Sequence, residues 1–434
     1  MNRLRNILYT AALLVGAAAC DKEDLPGTGP VLSSGERILF SAPPELTVET
    51  LTRAAQDELV EGNAFGVMGY CVPYTVGSTT NFDYGSANVD WTVKRGNCAP
   101  EVLYDQKVTV GVNGCTYDYN DADGDGNNPA WWYRTGYDTR NQPNASITGT
   151  DSYKYTFFAW YPYDDGKGNK YFSFENLTGT TSKGAPVMTF TMPQDGDNLN
   201  DVLNKDANPD AMLAAIYNHT KDDGNLKLDF SHVLTGLGFE VNNFSERELK
   251  IHKLTLSGRF YKQVKVDFSQ SSSSGADGFF SVPESYYTGT YTLFDEVNNN
   301  NQPLVLVAPD ATQGESVSST NDIDGQTPIG GSHLLLISGT GAYFGPDGSG
   351  SNTQVKVNLE YTFGDERKTF SQSRPSTFTP QPGVKYTAQL NFVGNAFVLQ
   401  FVVSDNESWE DGGTDNAIED GEGNIIDDGT ATFE

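Results

Sequence analysis

The most restrictive feature of this sequence is a regular alternation of apolar and polar side chains over short stretches. In residues 355–363 every second side chain is apolar, and Lys, Asn, Glu and Thr occupy the positions between them. Successive side chains of a β-strand point to opposite faces, so this pattern places one face in a core and the other in water. Further strands are predicted in residues 155–161, 187–192, 226–230, 249–256 and 264–268.

Two further alternating stretches have a turn between them. Residues 386–392 and 397–403 are separated by Gly394 and Asn395, which predicts an antiparallel hairpin. Only residues 210–217 could form a helix, and that stretch is short enough for a strand edge. The 22 Tyr, 24 Phe and 45 Gly suit sheets joined by tight turns. We therefore predict an all-β protein built of sandwiches.

The length and the charge of the chain narrow its class. At roughly 100–200 residues per domain, 434 residues predict two domains, with three as the alternative and the polar turn at 221–225 as the boundary. The 57 acidic and 28 basic residues give a net charge of -29, which would repel nucleic acid phosphates. We find no local catalytic motif and only four His. The sequence thus favours neither an enzyme nor a nucleic-acid-binding protein.

The first residues have the layout of a bacterial signal peptide. Two Arg precede the apolar stretch 7–19, and small residues run directly into Cys20. This resembles a lipoprotein signal, so we predict a signal peptide at residues 1–19 and a lipidated flexible tether at residues 20–35. The acidic stretch 21–24 resembles the signal that sends Bacteroidetes lipoproteins to the outer face of the outer membrane. The alternatives are an ordinary signal peptide with a chance Cys, and a plain solvated tether.

The stretch after the tether is suited to proteolysis. Ile38 and Phe40 share one face of a short candidate strand, and a polar stretch containing Arg53 and Ala54 follows. An Arg between small and polar residues in a loop can enter the cleft of a trypsin-like protease. Cleavage there would release the first strand from a sandwich and open a groove for a strand of another subunit. The alternative is an uncut first strand.

An acidic loop suggests a cation. Asp121, Asp123 and Asp125, followed by Gly126, match the first half of a calcium loop. Position twelve of such a loop is Trp132 instead of a bidentate Glu. We therefore predict no cofactor, and the stretch is either a Ca²⁺ site or a plain acidic loop tip.

Two adjacent tryptophans after this loop suggest a second function. Exposed Trp131 and Trp132 beside carboxylates could form a sugar-stacking platform, as in a surface glycan-binding lipoprotein. The alternative is that both residues pack in or at the edge of a sandwich core.

Other reactive side chains are few. Besides Cys20 there are Cys71, Cys98 and Cys115, which allow at most one disulfide, and their pairing stays open. No CxxC motif and no Cys and His at zinc spacing occur. His232 follows an apolar stretch and is predicted to be a hydrogen-bonded structural residue.

In the order of its motifs the chain resembles the fimbrillin family of Bacteroidetes, the lipoprotein subunits of Type V pili. The matching pieces are Cys20 with its acidic continuation, Thr52-Arg53-Ala54, residues 155–162, the stretch from Asp210 to His232, and a C-terminal strand reaching Trp409. The resemblance implies two tandem transthyretin-like antiparallel β-sandwiches, which we place at residues 36–222 and 223–410. It also implies a fimbrial subunit at the surface of the outer membrane, which polymerises with other subunits and serves adhesion.

The resemblance assigns roles to single residues. Arg53 becomes the site of cleavage by a trypsin-like protease, with Ala54 as the new N-terminus. Ile38 and Phe40 become core residues of the removed strand, residues 36–53.

The same resemblance makes the C-terminal segment, residues 411–434, the donor strand. A donor strand inserts alternating apolar side chains into a groove. Residues 405–434 contain 11 acidic and no basic residues, and their apolar side chains are sparse. This composition leaves the roles of stalk, tip and anchor subunit open.

Overall fold

The alternating stretches form β-strands in the structure, which is a computed structural model. Within the unit Ser34–Glu434 it describes residues 36–41, 59–72, 96, 98–112, 114–119, 127–150, 153–269, 280–281, 285–308, 319–320, 329, 333–338, 344–345, 354–373, 378, 380–403, 418–419 and 425–426. These ranges contain no α-helix, and 3₁₀ turns occur at Lys205–Ala207 and Lys221–Asp223. Across the same ranges no helix has the length and hydropathy to cross a membrane. The predicted all-β class is confirmed.

The strands are numbered in chain order. Those before residue 235 are β1 (Ala64–Val72), β2 (Leu103–Gly111), β3 (Gly114–Thr116), β4 (Lys154–Tyr161), β5 (Phe172–Phe174), β6 (Val187–Thr191), β7 (Asp197–Leu203), β8 (Met212–His219) and β9 (Ser231–His232). Those from residue 235 onward are β10 (Thr235–Asn243), β11 (Leu249–Tyr261), β12 (Gln263–Asp267), β13 (Phe280–Ser281), β14 (Tyr286–Asp295), β15 (Leu304–Leu306), β16 (Ser319–Thr320), β17 (Leu334–Leu336), β18 (Lys356–Phe363), β19 (Glu366–Ser373), β20 (Lys385–Val393), β21 (Ala396–Val403), β22 (Ile418–Glu419) and β23 (Ile425–Ile426).

The central strands of the first sheet are buried on both faces. Its strand order is β3-β2-β1-β4-β8-β9. Every residue of β1 from Phe65 to Val72 is buried, and so is every residue of β4 from Tyr155 to Trp160. Because neighbouring side chains of a strand point to opposite faces, continuous burial means that both faces are covered. The stretch predicted as a half-exposed strand at 155–161 is therefore a central strand.

Each face of the first sheet contacts a different core. On one face Phe65 and Phe157 pack with residues 36–41, which we call the N-terminal segment. On the other face Met68 and Phe158 join a larger core that continues through β6 and β12 into the second half of the chain. The N-terminal segment thus closes one side of the first sheet.

Two sheets of the second half pack face to face as a sandwich. Their strand orders are β19-β18-β11-β14-β7 and β16-β10-β20-β21. Tyr361 and Phe363 of β18 meet Phe392 of β20, with ring centroids 5.7 and 4.8 Å apart. Val357 and Leu359 are buried while the residues between them are only partly covered, as the alternation predicts. The finer transthyretin-like assignment stays a prediction.

The predicted hairpin is present. β20 and β21 pair with Phe392 opposite Phe397, and Gly394 in the turn has a φ of 63°, which glycine adopts without strain. Most of the stretch 210–217 lies in β8, so it forms a strand and not a helix. Two pairings, β10 with β20 and β7 with β14, are parallel. The sheets are therefore not wholly antiparallel.

Hydrogen bonding crosses the predicted division between residues 222 and 223. β6 pairs with β12, and β7 pairs with β14. Leu226 and Phe230, from beyond that division, are buried in the core of the first half. β11 is followed after one residue by β12, so one stretch of chain serves a sheet of each half. The domain boundaries stay a prediction.

Candidate functional site

The N-terminal segment is held by a few backbone hydrogen bonds to two separate parts of the chain. The N–H of Ile38 donates to the carbonyl of Ala130 at 2.8 Å. The N–H of Ser41 donates to the carbonyl of Leu226 at 2.9 Å, and the N–H of Leu226 donates to Leu39 at 2.8 Å. The first contact is antiparallel and the second is parallel. The segment thus bridges two stretches that are far apart in sequence.

Its two apolar side chains fill the space over the first sheet. Ile38 is 0% exposed and Phe40 is 3% exposed. The ring of Phe40 meets Phe65, Tyr117 and Phe157 edge to face at centroid distances of 5.7, 5.6 and 6.5 Å. Fully burying such a side chain contributes roughly 1.5–3 kcal/mol. Ile38 and Phe40 are therefore buried, whereas their role as the core of a strand removed by proteolysis stays a prediction.

We call the surface that contacts the segment the groove. It is formed by Phe65, Tyr117, Ala130, Phe157 and Leu226. These residues come from β1, β4 and three stretches outside the regular strands. No local pattern links them, which is why the sequence alone did not predict the groove wall.

Two polar side chains at the base of the groove bind the backbone of the segment. The hydroxyl of Tyr117 donates to the carbonyl of Ile38 at 2.7 Å and accepts from the N–H of Ala130 at 3.1 Å. The thiol of Cys115 donates to the carbonyl of Ser41 at 3.3 Å. Burial raises the pKa of Tyr117 and raises that of Cys115 to about 12, so both groups stay protonated and keep donating at neutral pH.

The side chain of Arg37, which belongs to the N-terminal segment, binds groups at the rim of the groove. Its Cζ lies 3.8 Å from the ring centroid of Trp131. Its Nη1 donates to the carbonyl of Pro129 at 2.6 Å and to Oδ1 of Asn128 at 3.4 Å. Arg134 also lies over the ring of Trp131, at 4.5 Å. Burial, and then the charge of Arg134, lower the pKa of Arg37, which still carries its charge at neutral pH.

Of the two interpretations of Trp131 and Trp132, the structure shows packing in and at the edge of a core. Trp132 is 2% exposed, and its ring packs at 4.7 Å from Tyr155 and 5.9 Å from His219. Trp131 is partly covered and lies under the guanidinium groups of Arg37 and Arg134. Adjacent residues in extended chain point in opposite directions, so one ring enters the core while the other faces the segment. A two-Trp sugar platform is therefore wrong for this chain.

Several predicted residues lie outside the described part of the chain. They are Cys20, Arg53, Ala54, Asp121, Asp123 and Asp125. Lipidation, cleavage and the choice between a Ca²⁺ site and an acidic loop tip stay predictions. Across the ranges the structure does describe, no cluster of three or more His, Cys, Asp or Glu side chains suits a metal ion.

The remaining reactive side chains have structural surroundings. Cys71, Cys98 and Cys115 are thiols and not parts of a disulfide, and all three are buried. His232 Nδ1 lies 2.9 Å from a carboxylate oxygen of Asp210, which confirms the prediction of a hydrogen-bonded His.

Two of the solved structures to which the chain is similar are fimbrial proteins. A fimbrial protein from Bacteroides vulgatus is 17% identical, with a TM-score of 0.45, covering 86% of this chain and all of that one. The tip fimbrial protein Mfa3 from Porphyromonas gingivalis, with a C-terminal truncation, is 10% identical, with a TM-score of 0.29. That match covers 84% of this chain and 97% of that one.

Sequence comparison gives a relative and a family. Fimbrium subunit Fim1C from Phocaeicola vulgatus is 24% identical over 409 residues, covering 83% of this chain and 94% of that protein. The model of the fimbrillin-like family matches residues 140–405, more than half of the chain. This match confirms the resemblance inferred from the motifs. The chain belongs to the fimbrillin-like family.

Proposed function

We propose that this chain is a structural subunit of a cell-surface fimbria, exported as a lipoprotein through Cys20, cleaved after Arg53 and assembled by donor-strand exchange, serving adhesion. Its family is one of fimbrial and adhesion proteins, not of enzymes. The observation that supports the exchange is the N-terminal segment, which precedes Arg53 and fills an apolar groove. It pairs through isolated bridges and not through a full strand ladder.

Loss of the segment would expose aromatic surface. Phe65 and Phe157 are 0% exposed and Tyr117 is 3% exposed with the segment in place. Exposing apolar surface costs about 25 cal/mol per Å², so an empty groove favours any strand that covers it again. Unpaired backbone groups along the groove, such as the carbonyl of Ala130, would accept the hydrogen bonds of that strand.

Cleavage changes how strongly the segment is retained. In the uncut chain the segment is a tethered ligand, whose effective concentration at the groove is on the order of millimolar. Cutting after Arg53, 12 residues beyond Ser41, makes the segment part of a separate fragment. A strand of another subunit can then compete for the groove. The processing protease therefore controls when assembly begins.

The partners follow from this scheme. The lipid on Cys20 anchors the precursor in the outer membrane, a trypsin-like protease cuts it, and other fimbrial subunits polymerise with it. Residues 411–434 are the segment that would act as donor; within them β22 pairs with β23. The many carboxylates of residues 411–434 fit an apolar groove poorly, because burying an unpaired charge is costly.

The decisive experiment is the variant Arg53→Ala, expressed in a bacterium that assembles the fimbriae. We expect surface-extracted protein to keep its lipidated N-terminus and to form no polymer, whereas the natural chain begins at Ala54. N-terminal sequencing and electron microscopy measure the two outcomes.

Arg140→Ala is the matched control, because it removes an exposed Arg elsewhere on the first half. Fimbriae of normal length from Arg53→Ala would overturn the proposal.

A further inference from the structure

We infer that the strand which replaces the N-terminal segment must carry an Arg or Lys at the position of Arg37, so that the occupant of the groove is a basic and apolar strand of a different subunit. Residues 405–434 of a second copy of this chain do not meet the requirement. The inference rests on the proposed donor-strand exchange and adds the chemistry of the donor.

The rim of the groove presents electron-rich groups to Arg37. The carbonyl of Pro129 accepts from its Nη1 at 2.6 Å, and Oδ1 of Asn128 lies at 3.4 Å. The face of Trp131, whose quadrupole is negative, lies 3.8 Å from Cζ. When the segment leaves, the carbonyl of Pro129 and Oδ1 of Asn128 lose the guanidinium of Arg37, and the ring of Trp131 keeps only that of Arg134. A hydrogen-bond acceptor that loses its donor and is not reached by water stays unsatisfied. A complex that leaves such an acceptor unsatisfied binds more weakly.

Hydrogen bonds outside the segment also hold these groups in position. The N–H of Trp131 donates to the carbonyl of Thr139 at 2.9 Å. The N–H of Asn128 donates to the carbonyl of Tyr117 at 3.1 Å, and the N–H of Tyr119 donates back to Asn128 at 3.0 Å. The loop therefore presents the same cation site to an incoming strand as to the departing one.

Arg134 is already engaged elsewhere. It donates to Oδ1 of Asn141, and its guanidinium lies 4.9 Å from the ring of Tyr137 as well as over Trp131. It therefore does not take over the place of Arg37. An acidic donor side chain could approach Arg134, but it would then face the carbonyl of Pro129 and the face of Trp131, which both repel a carboxylate.

The spacing of the side chains that fill the groove predicts the sequence of the donor strand. Counting from Arg37, the buried apolar side chains stand at positions +1 and +3, Ile38 and Phe40. The fitting donor thus has a basic residue, then an apolar one, then any residue, then an aromatic. Residues 405–434 contain no Lys and no Arg. The partner that fits is a subunit other than this chain.

The test uses the full chain cut at Arg53 with an arginine-specific protease. Four peptides compete with a fluorescein-labelled copy of residues 34–44, followed by fluorescence anisotropy: the unlabelled copy, its Arg37→Ala form, its Arg37→Lys form, and residues 415–434. We expect the Ala form to bind about tenfold more weakly or worse, and the Lys form within about threefold of the natural one. We expect no displacement by residues 415–434.

Equal binding of the natural and Ala peptides, or tight binding of residues 415–434, would overturn the inference. Trp131→Leu in the cut chain should shrink the difference between natural and Ala peptides, whereas Arg140→Ala, whose guanidinium lies 5.7 Å from Tyr119, should leave it unchanged.

Failure of the exchange itself would show differently, because then no peptide enters the groove. In that case hydrogen exchange on the uncut chain decides about Arg37. Arg37→Ala should speed exchange of the Ile38 and Ser41 amides about tenfold, and Arg37→Lys should restore protection. Unchanged protection of these amides in Arg37→Ala would show that the cation does not hold the segment, whether or not the proposed assembly takes place.

Discussion

The groove of the first half and the sandwich of the second half are both apolar and buried, yet they are closed by different means. In the sandwich, β11 pairs with β18 from Leu249 to Ser257, and whole sheets meet through their side chains. In the groove, the N-terminal segment makes single bridges at Arg37 and Phe40. A continuous sheet opens only as a unit, whereas a bridged segment can leave without unpairing any strand of the sheet below. Burial therefore does not distinguish permanent from replaceable contacts, but pairing does.

The largest effect is expected in the sandwich. Phe392→Ala removes a ring that is 0% exposed and that contacts Tyr361, Phe363 and Phe397. We expect the free energy of global unfolding to fall by about 3–5 kcal/mol in urea titrations. Val398→Ala, on the same hairpin but 47% exposed, is the control. A loss below about 1 kcal/mol for Phe392→Ala would show that the sandwich is not the stable half.

In the groove we expect a smaller loss of global stability and a large increase in local opening. Phe40→Ala should lower the free energy of global unfolding by about 2 kcal/mol or less, because the segment detaches before the sheets separate. The detached segment uncovers Cys115, so maleimide labelling of that thiol should accelerate at least about tenfold, while Cys98 stays protected.

Leu39→Ala is the matched control, since Leu39 is the half-covered neighbour of Phe40. If Phe40→Ala destabilised the chain as much as Phe392→Ala and left Cys115 unreactive, the two regions would not differ as argued.

The smallest expected effect is on the pH dependence of stability, which should differ between the sandwich and the groove. Nδ1 of His252 lies 2.6 Å from Oε2 of Glu296, and this hydrogen bond is the main reason why the pKa of Glu296 lies below its ordinary value. A carboxylate with a lowered folded-state pKa stabilises the fold above its unfolded pKa of roughly 4.3, and this stability is lost as the pH falls through the folded pKa. Arg367, 3.2 Å from Oε1, acts in the same direction.

Glu296→Gln should therefore flatten the acid limb of the unfolding free energy, by less than about 1 kcal/mol because the pair is near the surface. Glu248→Gln, which removes the exposed pair with Lys250, is the control. Labelling of Cys115, expressed relative to a free thiol at each pH, should stay unchanged over the same acid range, since burial raises its pKa to about 12 and both thiols remain protonated there. An acid-induced rise in that labelling alone would place the sensitive contact in the groove instead.

The local features were predictable because they rest on neighbouring residues. The alternation in 355–363 and the turn at Gly394 gave β18 and the hairpin of β20 and β21. Ile38 and Phe40, which the sequence places on one face of a candidate strand, are both buried in the structure. The same local logic left Trp132 open between a sugar platform and a core position, because its burial depends on Tyr155 and His219 approaching from other strands.

By itself, the sequence determined the class of the protein. Periodicity two dictates strands wherever apolar and polar side chains alternate, and the order of the motifs identified the family. Only the tertiary structure decided what the first strand rests on. Tyr117, Pro129 and Leu226 contact the N-terminal segment from far along the chain. The separation ranges from 77 residues, between Phe40 and Tyr117, to 187 residues, between Leu39 and Leu226. Contacts across such separations depend on how the sheets pack, which no pattern of neighbouring residues encodes.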